Sequence, residues 1–555
     1  MHPLGILPFD TNAIGQVLAP VPSASREYVL GYLTELGATV ALREPHYIDR
    51  HYLDDFSDYY ARSFAPPTAS CERFHFFRDL SAEDMLALLS QAYEGDAQRR
   101  AEIELQLQEA YLGFVVKRPL PGASFGRTVL RTYPIDGRRH YEVVRPYIVN
   151  IGGLRLAVKG LAYQQQDGGA AVCASTSLWS ALQRVAHVAG HRTPTPSMIT
   201  KAAESPFAAS HGLNEMQMAH ALSRLGYAAE LFAPEENRGL FLAQVVSCLQ
   251  SQLPVILLIT RKIATGVGQR DVGHAVTVTG FSEPADPADV HLGVENIPTI
   301  RMRAAAVRTV YVHDDNLGFH AHYELRLSEE KDEKGNPILA LYRGRTNKPP
   351  VSWWTPDEWV VRLALVPKPP KLRLSVDRLL HSLVQLRRLV EALLPGIQFD
   401  YSTRFMSGVD YKRLVLDMPV DRKAIGGFLT SIGLPRHVGV ISAFDGTQKR
   451  LDFVVDVSQV ESIHGIPSLH ALVAPGIPNG SLAALNVARF AMPRQIPFLL
   501  APPNPPPSPP AVALLPAEAA KLPQPPTTEQ QLTDGGSASR DSASGDGDGD
   551  NQQPE

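Results

Sequence analysis

Three helical patterns followed by three apolar strand patterns dominate the middle of this 555-residue chain. Apolar residues recur three and four positions apart over residues 175–189, 214–225 and 239–252, which is the period of a helix with one buried face. The strand patterns that follow are PVILLI, HAVTVTGF and TVYVHDD. Helices that precede the strands, and do not alternate with them, are typical of an α+β fold.

The length of the chain requires more than one hydrophobic core, and it indicates about two to four domains. We expect an N-terminal α/β segment over residues 1–155, the α+β unit over residues 156–367, and a C-terminal α+β segment over residues 370–500. The proline-rich stretch PKPP marks the boundary between the last two.

The two flanking segments carry local patterns of their own. In the first, residues 25–37 are predicted as a helix that Gly37 stops, and residues 45–64 as a helix with an aromatic face. In the third, residues 375–396 are predicted as an amphipathic helix. A β-hairpin follows it, with its turn at Asp445 and Gly446.

The last part of the chain, residues 502–555, has a composition that cannot bury a core. It begins PPNPPPSPP and ends in Gly, Ser and Asp, so we expect a disordered tail. The tail has eight acidic and two basic residues, which leaves the rest of the chain near a net charge of +2. Without a basic block, no nucleic-acid partner is expected.

Targeting and redox signals indicate a protein of the cytoplasm. The longest apolar run near the middle, LPVILLI, is far too short to cross a bilayer, so no membrane span is expected. The N-terminal sequence MHPLGILPFDTNAIG lacks the basic and apolar regions of a secretory signal. Three widely spaced cysteines argue against a disulfide framework and for a reducing compartment.

One of these cysteines, Cys173, stands where the loop QQQDGGAAV meets a predicted helix. A thiol becomes a strong nucleophile as a thiolate, and the N-terminus of a helix stabilises that anion. A cysteine in an alanine-rich helix is also a common packing residue. Cys71 and Cys248 have surroundings that favour a structural role.

A nucleophilic cysteine needs a base, and His274 is the best candidate because it begins an apolar strand just after a glycine-rich loop. Asp314, at the end of the next strand pattern, is the candidate for the group that orients the imidazole. Asp315 is an alternative, although the alternation of side chains in VYVHD favours Asp314.

This order of residues resembles the papain-like cysteine peptidase superfamily, especially bacterial peptidases related to the double-glycine leader (bacteriocin-processing) peptidases and to phytochelatin synthase. The resemblance covers roughly residues 160–365 and implies a helical half packed on an antiparallel sheet. It also implies that Cys173 is the nucleophile, His274 the base and Asp314 the orienting acid.

The resemblance further implies a glutamine upstream of the cysteine whose amide helps to form the oxyanion hole. At the position where the family keeps it, this chain has Asp167, so Gln166 is the candidate and Gln165 the alternative. The residue after the cysteine, usually glycine in the family, is Ala174.

A metal-dependent alternative rests on His320, His322 and Glu324, which alternate along FHAHYE as metal ligands in an extended segment sometimes do. A solvated strand face explains the same alternation equally well. We therefore expect no metal and no cofactor.

The predicted activity is that of a cysteine peptidase-like hydrolase that cleaves a peptide, isopeptide or thioester bond. Two alternatives with the same fold remain, namely an acyl transferase and a non-catalytic protein-binding module. The partner is a peptide or protein substrate, and residues 1–155 and 370–500 would hold it or a partner protein.

Overall fold

The computed structural model describes most of the chain up to residue 501. The described residues are 4–21, 23–167, 172–204, 212–234, 237–265, 268–291, 299–331, 335, 337–343, 358–393, 396–418, 420–458, 469–475 and 498–501. The tail expected to be disordered, residues 502–555, lies outside them.

Twelve α-helices occur in this described part of the chain. They are α1 (Thr11–Leu18), α2 (Ala24–Glu35), α3 (Arg50–Asp55), α4 (Ala82–Glu94), α5 (Ala97–Ala110), α6 (Cys173–Ala189), α7 (Pro196–Ala202), α8 (Glu215–Arg224), α9 (Arg238–Gln250), α10 (Val376–Leu393), α11 (Gly408–Leu416) and α12 (Arg422–Ser431). A π-helical turn over Phe56–Tyr60 and a 3-10 turn over Ala304–Ala306 add to these.

The strands of the described residues are β1 (Gly5–Pro8), β2 (Ala38–Tyr47), β3 (Cys71–Arg78), β4 (Tyr111–Lys117), β5 (Phe125–Leu130), β6 (Arg139–His140), β7 (Arg145–Ile151), β8 (Leu154–Gly160), β9 (Ala228–Phe232), β10 (Val255–Thr265), β11 (Gly268–Ser282), β12 (Ala288–Val290), β13 (Ile300–Met302), β14 (Thr309–Asp314), β15 (Gly318–Lys331), β16 (Pro337–Arg343), β17 (Glu358–Lys368), β18 (Asp400–Ser407), β19 (His437–Asp445), β20 (Gln448–Asp456), β21 (Leu469–Pro475) and β22 (Phe498–Ala501). With the helices, they confirm the mixed α+β class expected from the sequence.

The central sheet closes on itself. Strands β10, β11, β14, β15, β16 and β17 pair antiparallel in that order, and β17 pairs again with β10. Six strands therefore form a barrel, to which β9 is added at β17 and β6 at β11. Closure leaves few strand edges unpaired, and it fixes the ends of neighbouring strands close together.

Two further sheets flank the barrel. Strands β1 to β5 form an antiparallel sheet in chain order, and β7 pairs with β8 as a separate ribbon. The third sheet has the order β12-β13-β18-β19-β20-β21-β22, with parallel pairs at β13–β18 and β21–β22. Strands β6, β12 and β13 thus join sheets across the boundaries expected between segments.

Helix α6 lies in a core that it shares with two sheets. This α6 core contains Leu178, Trp179 and Leu182 of the helix with Phe77, Val116 and Val129 of the first sheet and Ile256, Ala275 and Leu365 of the barrel. Gly190 ends the helix in the left-handed conformation, at φ +73°, where glycine has no side-chain penalty. The helix is therefore held on both sides.

Most of the predicted elements exist, but the helix predicted over residues 45–64 forms only over residues 50–60, as α3 and the π-helical turn. Over residues 45–64 the chain first continues strand β2, where Tyr47 pairs with Cys71 of β3. A helix begins only at Arg50, after Asp49 accepts hydrogen bonds from the backbone N–H groups of His51 and Tyr52. Strand pairing therefore overrides the helical pattern in the first part of this stretch.

The elements predicted elsewhere lie close to their expected positions. Helix α2 stops before Gly37, which has φ +78°, and α10 covers most of residues 375–396. In the hairpin of β19 and β20, Asp445 pairs with Gln448, so the turn lies at Gly446 and Thr447, one residue after the predicted position. No described helix has both the length and the apolar composition that crossing a bilayer would require.

Helix α10 shares a core with the barrel and with the third sheet, and this sharing can be tested at Leu379. Its side chain is fully buried and lies against Gly439 of β19, where an added Cβ would come within 2.8 Å of Leu379 Cδ1. Leu379→Ala should lower the free energy of unfolding by about 2–5 kcal/mol, since it leaves a cavity. Urea unfolding followed by tryptophan fluorescence measures this loss.

Leu416 of α11 is the matched control, because its side chain is 46% exposed. Leu416→Ala should change the free energy of unfolding by no more than about 0.5 kcal/mol. An equally small effect of Leu379→Ala would contradict the shared core.

Candidate active site

Cys173 is the first residue of helix α6, and its side chain is partly exposed. Val172 precedes the helix in an extended conformation, and its N–H group donates to Ser175 Oγ at 3.1 Å. The first N–H groups of a helix have no partner within the helix, so they stabilise an anion placed at that end. Cys173 thus lies at the end of α6 where the backbone N–H groups have no helical partner.

The other two cysteines are buried and have different surroundings. Burial raises the pKa of the Cys71 thiol to about 12 and also raises that of Cys248 well above its ordinary value. Both residues pack in hydrophobic cores, which agrees with the structural role expected for them.

Two reciprocal hydrogen bonds fix α6 against strand β11. Ser177 Oγ donates to the carbonyl of Ala275 at 2.8 Å, and Thr277 Oγ1 donates to the carbonyl of Ser177 at 3.0 Å. Cys173 lies one helical turn before Ser177, and His274 is the neighbour of Ala275. The lock therefore brings the N-terminus of α6 close to the middle of β11, and the Cys173 side chain contributes to the raised pKa of the His274 ring.

Asp314 binds one nitrogen of this ring. Its Oδ1 atom lies 2.9 Å from His274 Nε2, so the other nitrogen, Nδ1, remains for another partner. The backbone N–H of Asn316 donates to the same oxygen at 3.0 Å. Tyr323 donates its hydroxyl to Oδ2 at 2.5 Å, and Arg343 Nη2 lies 3.8 Å from that atom. The carboxylate is fully partnered although it is buried.

These contacts keep His274 and Asp314 charged. Burial alone would lower the pKa of His274, but the charge and hydrogen bond of Asp314, together with Cys173, hold it well above its ordinary value. Burial alone would raise the pKa of Asp314, yet His274 and Arg343 hold it well below the usual range. At neutral pH the two side chains form a buried ion pair.

Asp315 is a second buried carboxyl beside the ring. Its Oδ1 atom lies 3.5 Å from His274 Nε2, farther away than Asp314. Among the described residues, neither of its oxygens has a hydrogen-bond partner. Burial raises its pKa to about 7, and the neighbouring charge of Asp314 adds to this shift. Asp315 is therefore easily protonated and binds the ring less directly.

An aromatic ring covers the histidine. The ring of Trp359 lies 5.3 Å from that of His274, and the guanidinium of Arg261 stacks on the Trp359 ring at 4.6 Å. Both His274 and Trp359 are only 7% exposed. Exclusion of water strengthens the interaction between His274 and Asp314.

The three consecutive glutamines have different partners. Gln166 Nε2 donates to Asn316 Oδ1 at 2.6 Å, and Asn316 Nδ2 lies 3.4 Å from His274 Nε2. Gln165 Oε1 instead accepts from the backbone N–H of Phe125 in β5 at 3.4 Å. The structure thus connects Gln166, and not Gln165, to the histidine.

Asp167 forms a buried ion pair that the sequence gave no reason to expect. Its Oδ2 atom lies 2.9 Å from Arg118 Nη1, and both side chains are almost inaccessible to solvent. Arg118 Nη2 also donates to the carbonyls of Gln165 at 2.7 Å and Ala123 at 2.9 Å. Arg118 therefore holds the segment that leads to Cys173, although it lies far upstream in the chain.

Within the described residues, one group of side chains has the spacing of metal ligands. His274, Asp314 and Asp315 offer three ligand atoms within 4.8 Å of one another. His320 and Glu324 have other partners, because Thr279 Oγ1 lies 2.9 Å from His320 Nδ1 and Glu324 pairs with Arg326. Within the described residues, His320, His322 and Glu324 are not grouped with the spacing of metal ligands.

Comparison of the chain with known protein families gives no matching family, and comparison with curated proteins gives no similar protein. Function is therefore inferred from the geometry of these residues alone.

Asp315 gives the protein a pH-dependent stability that Asp315→Asn should remove. Its pKa of about 7 means that, between about pH 4 and 7, the folded protein holds a proton that an unfolded Asp releases. The folded state binds more protons, so the contribution of Asp315 to the free energy of unfolding falls as pH rises, by roughly 2–4 kcal/mol in total.

We expect the free energy of unfolding of Asp315→Asn, relative to that of the wild type, to increase as the pH rises from about 5 to about 8. Urea unfolding at each pH measures this difference. The exposed Asp286→Asn is the control and should show no such gain. A constant difference between Asp315→Asn and the wild type over this range would mean that Asp315 does not titrate there.

Proposed function

We propose that this protein is a cysteine hydrolase with a papain-like core, in which Cys173, His274 and Asp314 act together on a peptide, isopeptide or thioester carbonyl. One observation carries the proposal. A partly exposed cysteine begins a helix that is hydrogen-bonded to strand β11 beside His274, and the Nε2 atom of that imidazole binds a buried carboxylate at 2.9 Å. A nucleophile, a base and an orienting group in this order are what thiol acyl transfer requires.

The reaction begins when the Cys173 thiolate attacks the substrate carbonyl and forms a bond between Sγ and the carbonyl carbon. The bond to the leaving amine or thiol breaks, and the protonated His274 gives that group its proton. Water then attacks the resulting thioester while His274 accepts a proton, and Sγ leaves as a thiolate with release of the acid. Asp314 keeps the imidazole oriented and stabilises its charged form.

The oxyanion that forms on the carbonyl needs donors. The backbone N–H of Cys173 lies in the first turn of α6 and has no partner within the helix. The Gln166 side chain is the second donor in this proposal, because it reaches the same histidine through Asn316. Its NH₂ group has two hydrogens, so one remains after the bond to Asn316.

An acyl transferase follows from the same residues if an amine or thiol, and not water, resolves the thioester. A fluorogenic peptide assay with and without acceptor amines distinguishes the two, because a transferase forms an amide product and a hydrolase forms the acid. A non-catalytic binding module would leave Cys173 unreactive toward thiol-directed probes. In this proposal the protein acts in the cytoplasm, and the flanking segments hold the substrate or a partner protein.

A metal-dependent hydrolase is the second candidate. The observation that favours it is the convergence of His274, Asp314 and Asp315, with the oxygens of Asp315 lacking hydrogen bonds among the described residues. In that reaction a bound cation would activate water and Cys173 would be dispensable. Activity that survives Cys173→Ala and is lost on chelation would favour this candidate over the thiol mechanism.

The thiol mechanism predicts that iodoacetamide labels Cys173 first. At about pH 6, labelling followed by peptide mapping should modify Cys173 well before Cys71 and Cys248, which serve as controls in the same molecule. His274→Ala should slow this labelling by about 10-fold or more, because the imidazolium that stabilises the thiolate is lost.

The exposed His220 of α8 provides the matched substitution, and His220→Ala should leave the labelling rate unchanged. Equal labelling of all three cysteines would contradict the proposal and indicate that Cys173 is a packing residue. A Cys173 labelling rate that is unchanged by His274→Ala would contradict it in the same way.

The oxyanion assignment predicts different effects for two neighbouring glutamines. Gln166→Ala should lower kcat by about 10²–10³ with little change in KM, since an oxyanion donor acts in the transition state. Gln165→Ala is the control, because the Gln165 side chain contacts Phe125 in the first sheet. The reverse result would assign the donor to Gln165.

A further inference from the structure

Residues 314–319 (the acid turn) contain the end of β14 with Asp314, the turn and the start of β15, and they are held by groups outside them. Ser25 Oγ of helix α2 donates to the carbonyl of Asn316 at 2.9 Å, and Tyr28 Oη of the same helix donates to the carbonyl of Phe319 at 2.9 Å. The Tyr163 hydroxyl donates to the carbonyl of Asp315 at 3.4 Å. Two of these three donors belong to one N-terminal helix.

The same helix packs directly on the backbone of the acid turn. A Cβ added at Gly318 would lie 2.2 Å from the ring of Tyr28, so no side chain fits at that position. The ring of Tyr28 also meets that of Phe319 edge-on, with centroids 6.1 Å apart. Phe319 lies in a core with Val29, Tyr32 and Leu33 of α2. The contact is therefore both polar and apolar.

The chain just after the acid turn is strained. His320 has φ +50°, in the left-handed region that residues with a side chain rarely adopt. Such a conformation persists only where the surrounding structure enforces it. The contacts that α2 makes with Gly318 and Phe319 lie next to His320, so they help to hold its backbone in this conformation.

The acid turn matters because two of its residues meet the catalytic ring. Asp314 Oδ1 lies 2.9 Å and Asn316 Nδ2 lies 3.4 Å from His274 Nε2. The carbonyl of Asn316 is the one that Ser25 binds. A shift of the turn relative to α2 would therefore move the acid and the neighbouring amide together.

We propose that helix α2 is a positioning element of the active centre, in which Ser25 and Tyr28 act through the acid turn to keep Asp314 in register with His274. This role, which rests on the proposed thiol mechanism, gives a function to the N-terminal segment. The helix touches neither Cys173 nor the substrate carbonyl in the proposed reaction, and it acts only by fixing the orientation of the imidazole.

The test compares two tyrosines of the same helix. Tyr28→Phe removes the hydroxyl that binds the acid turn, whereas Tyr32→Phe removes one that donates to the carbonyl of Arg131 at 2.8 Å. Tyr28→Phe should slow iodoacetamide labelling of Cys173 by about 2- to 10-fold, the range expected for one lost hydrogen bond. Tyr32→Phe should leave the rate unchanged.

Combination with His274→Ala separates positioning from general loosening. If Tyr28 acts through the imidazole, Tyr28→Phe should have no further effect on labelling once His274 is alanine. Equal slowing with and without His274, or equal slowing by Tyr28→Phe and Tyr32→Phe, overturns the proposal.

Hydrogen exchange gives a readout that does not depend on the thiol. Ser25→Ala and Tyr28→Phe should each increase amide exchange across residues 314–319, and Tyr32→Phe should not. Unchanged exchange there in both variants overturns the proposal. A wild-type Cys173 that fails to react would refute the thiol mechanism separately, while the exchange rates would still show whether α2 holds the turn.

Discussion

The two hydrogen bonds that join α6 to β11 fix the geometry on which the rest of the site depends. The Ser177 hydroxyl donates to the backbone of β11, and the Thr277 hydroxyl donates to the backbone of α6. Ser177 lies one helical turn after Cys173, and Thr277 lies three residues after His274. One turn of helix rises about 5.4 Å, so little freedom remains between the thiol and the imidazole. A thiol and a base from distant parts of the sequence are thereby held together without a covalent link.

Placing a charged imidazole and a carboxylate in the interior is costly unless both are fully partnered. Asp314 meets this requirement with bonds from His274, Tyr323 and the Asn316 backbone. The side-chain oxygens of Asp315 have no hydrogen bond within the described residues, and burial together with the charge of Asp314 raises its pKa. The two adjacent carboxyls thus differ in their partners, because Tyr323 and the Asn316 backbone donate to Asp314.

The sequence was sufficient to predict the elements that carry the site. Helix α6 and the strand of Asp314 form close to where the patterns indicate, whereas β11 begins at Gly268, six residues before the start predicted at His274. Helix α6 begins two residues before Ser175, the predicted start. The sequence did not indicate this start, because Val172 is not a residue type that normally precedes a helix.

The residues that support the site could not be predicted in this way. Ser25 and Tyr28 each bind a residue of the acid turn that lies 291 positions away in the chain. Arg118 and Asp167 are separated by 49 positions. A single sequence has no local pattern for such contacts. Closure of the barrel by β17 on β10 was unpredictable for the same reason.

The buried pair of Arg118 and Asp167 limits how this chain can be divided. Arg118 lies before residue 156 and Asp167 after it, so excision at that point would leave a buried carboxylate without its cation. Loss of one partner from such a pair costs about 3–5 kcal/mol. During synthesis the N-terminal sheet leaves the ribosome before α6 does. The cysteine-bearing helix therefore docks onto a surface that has already emerged, and an excised unit of residues 156–367 would lack it.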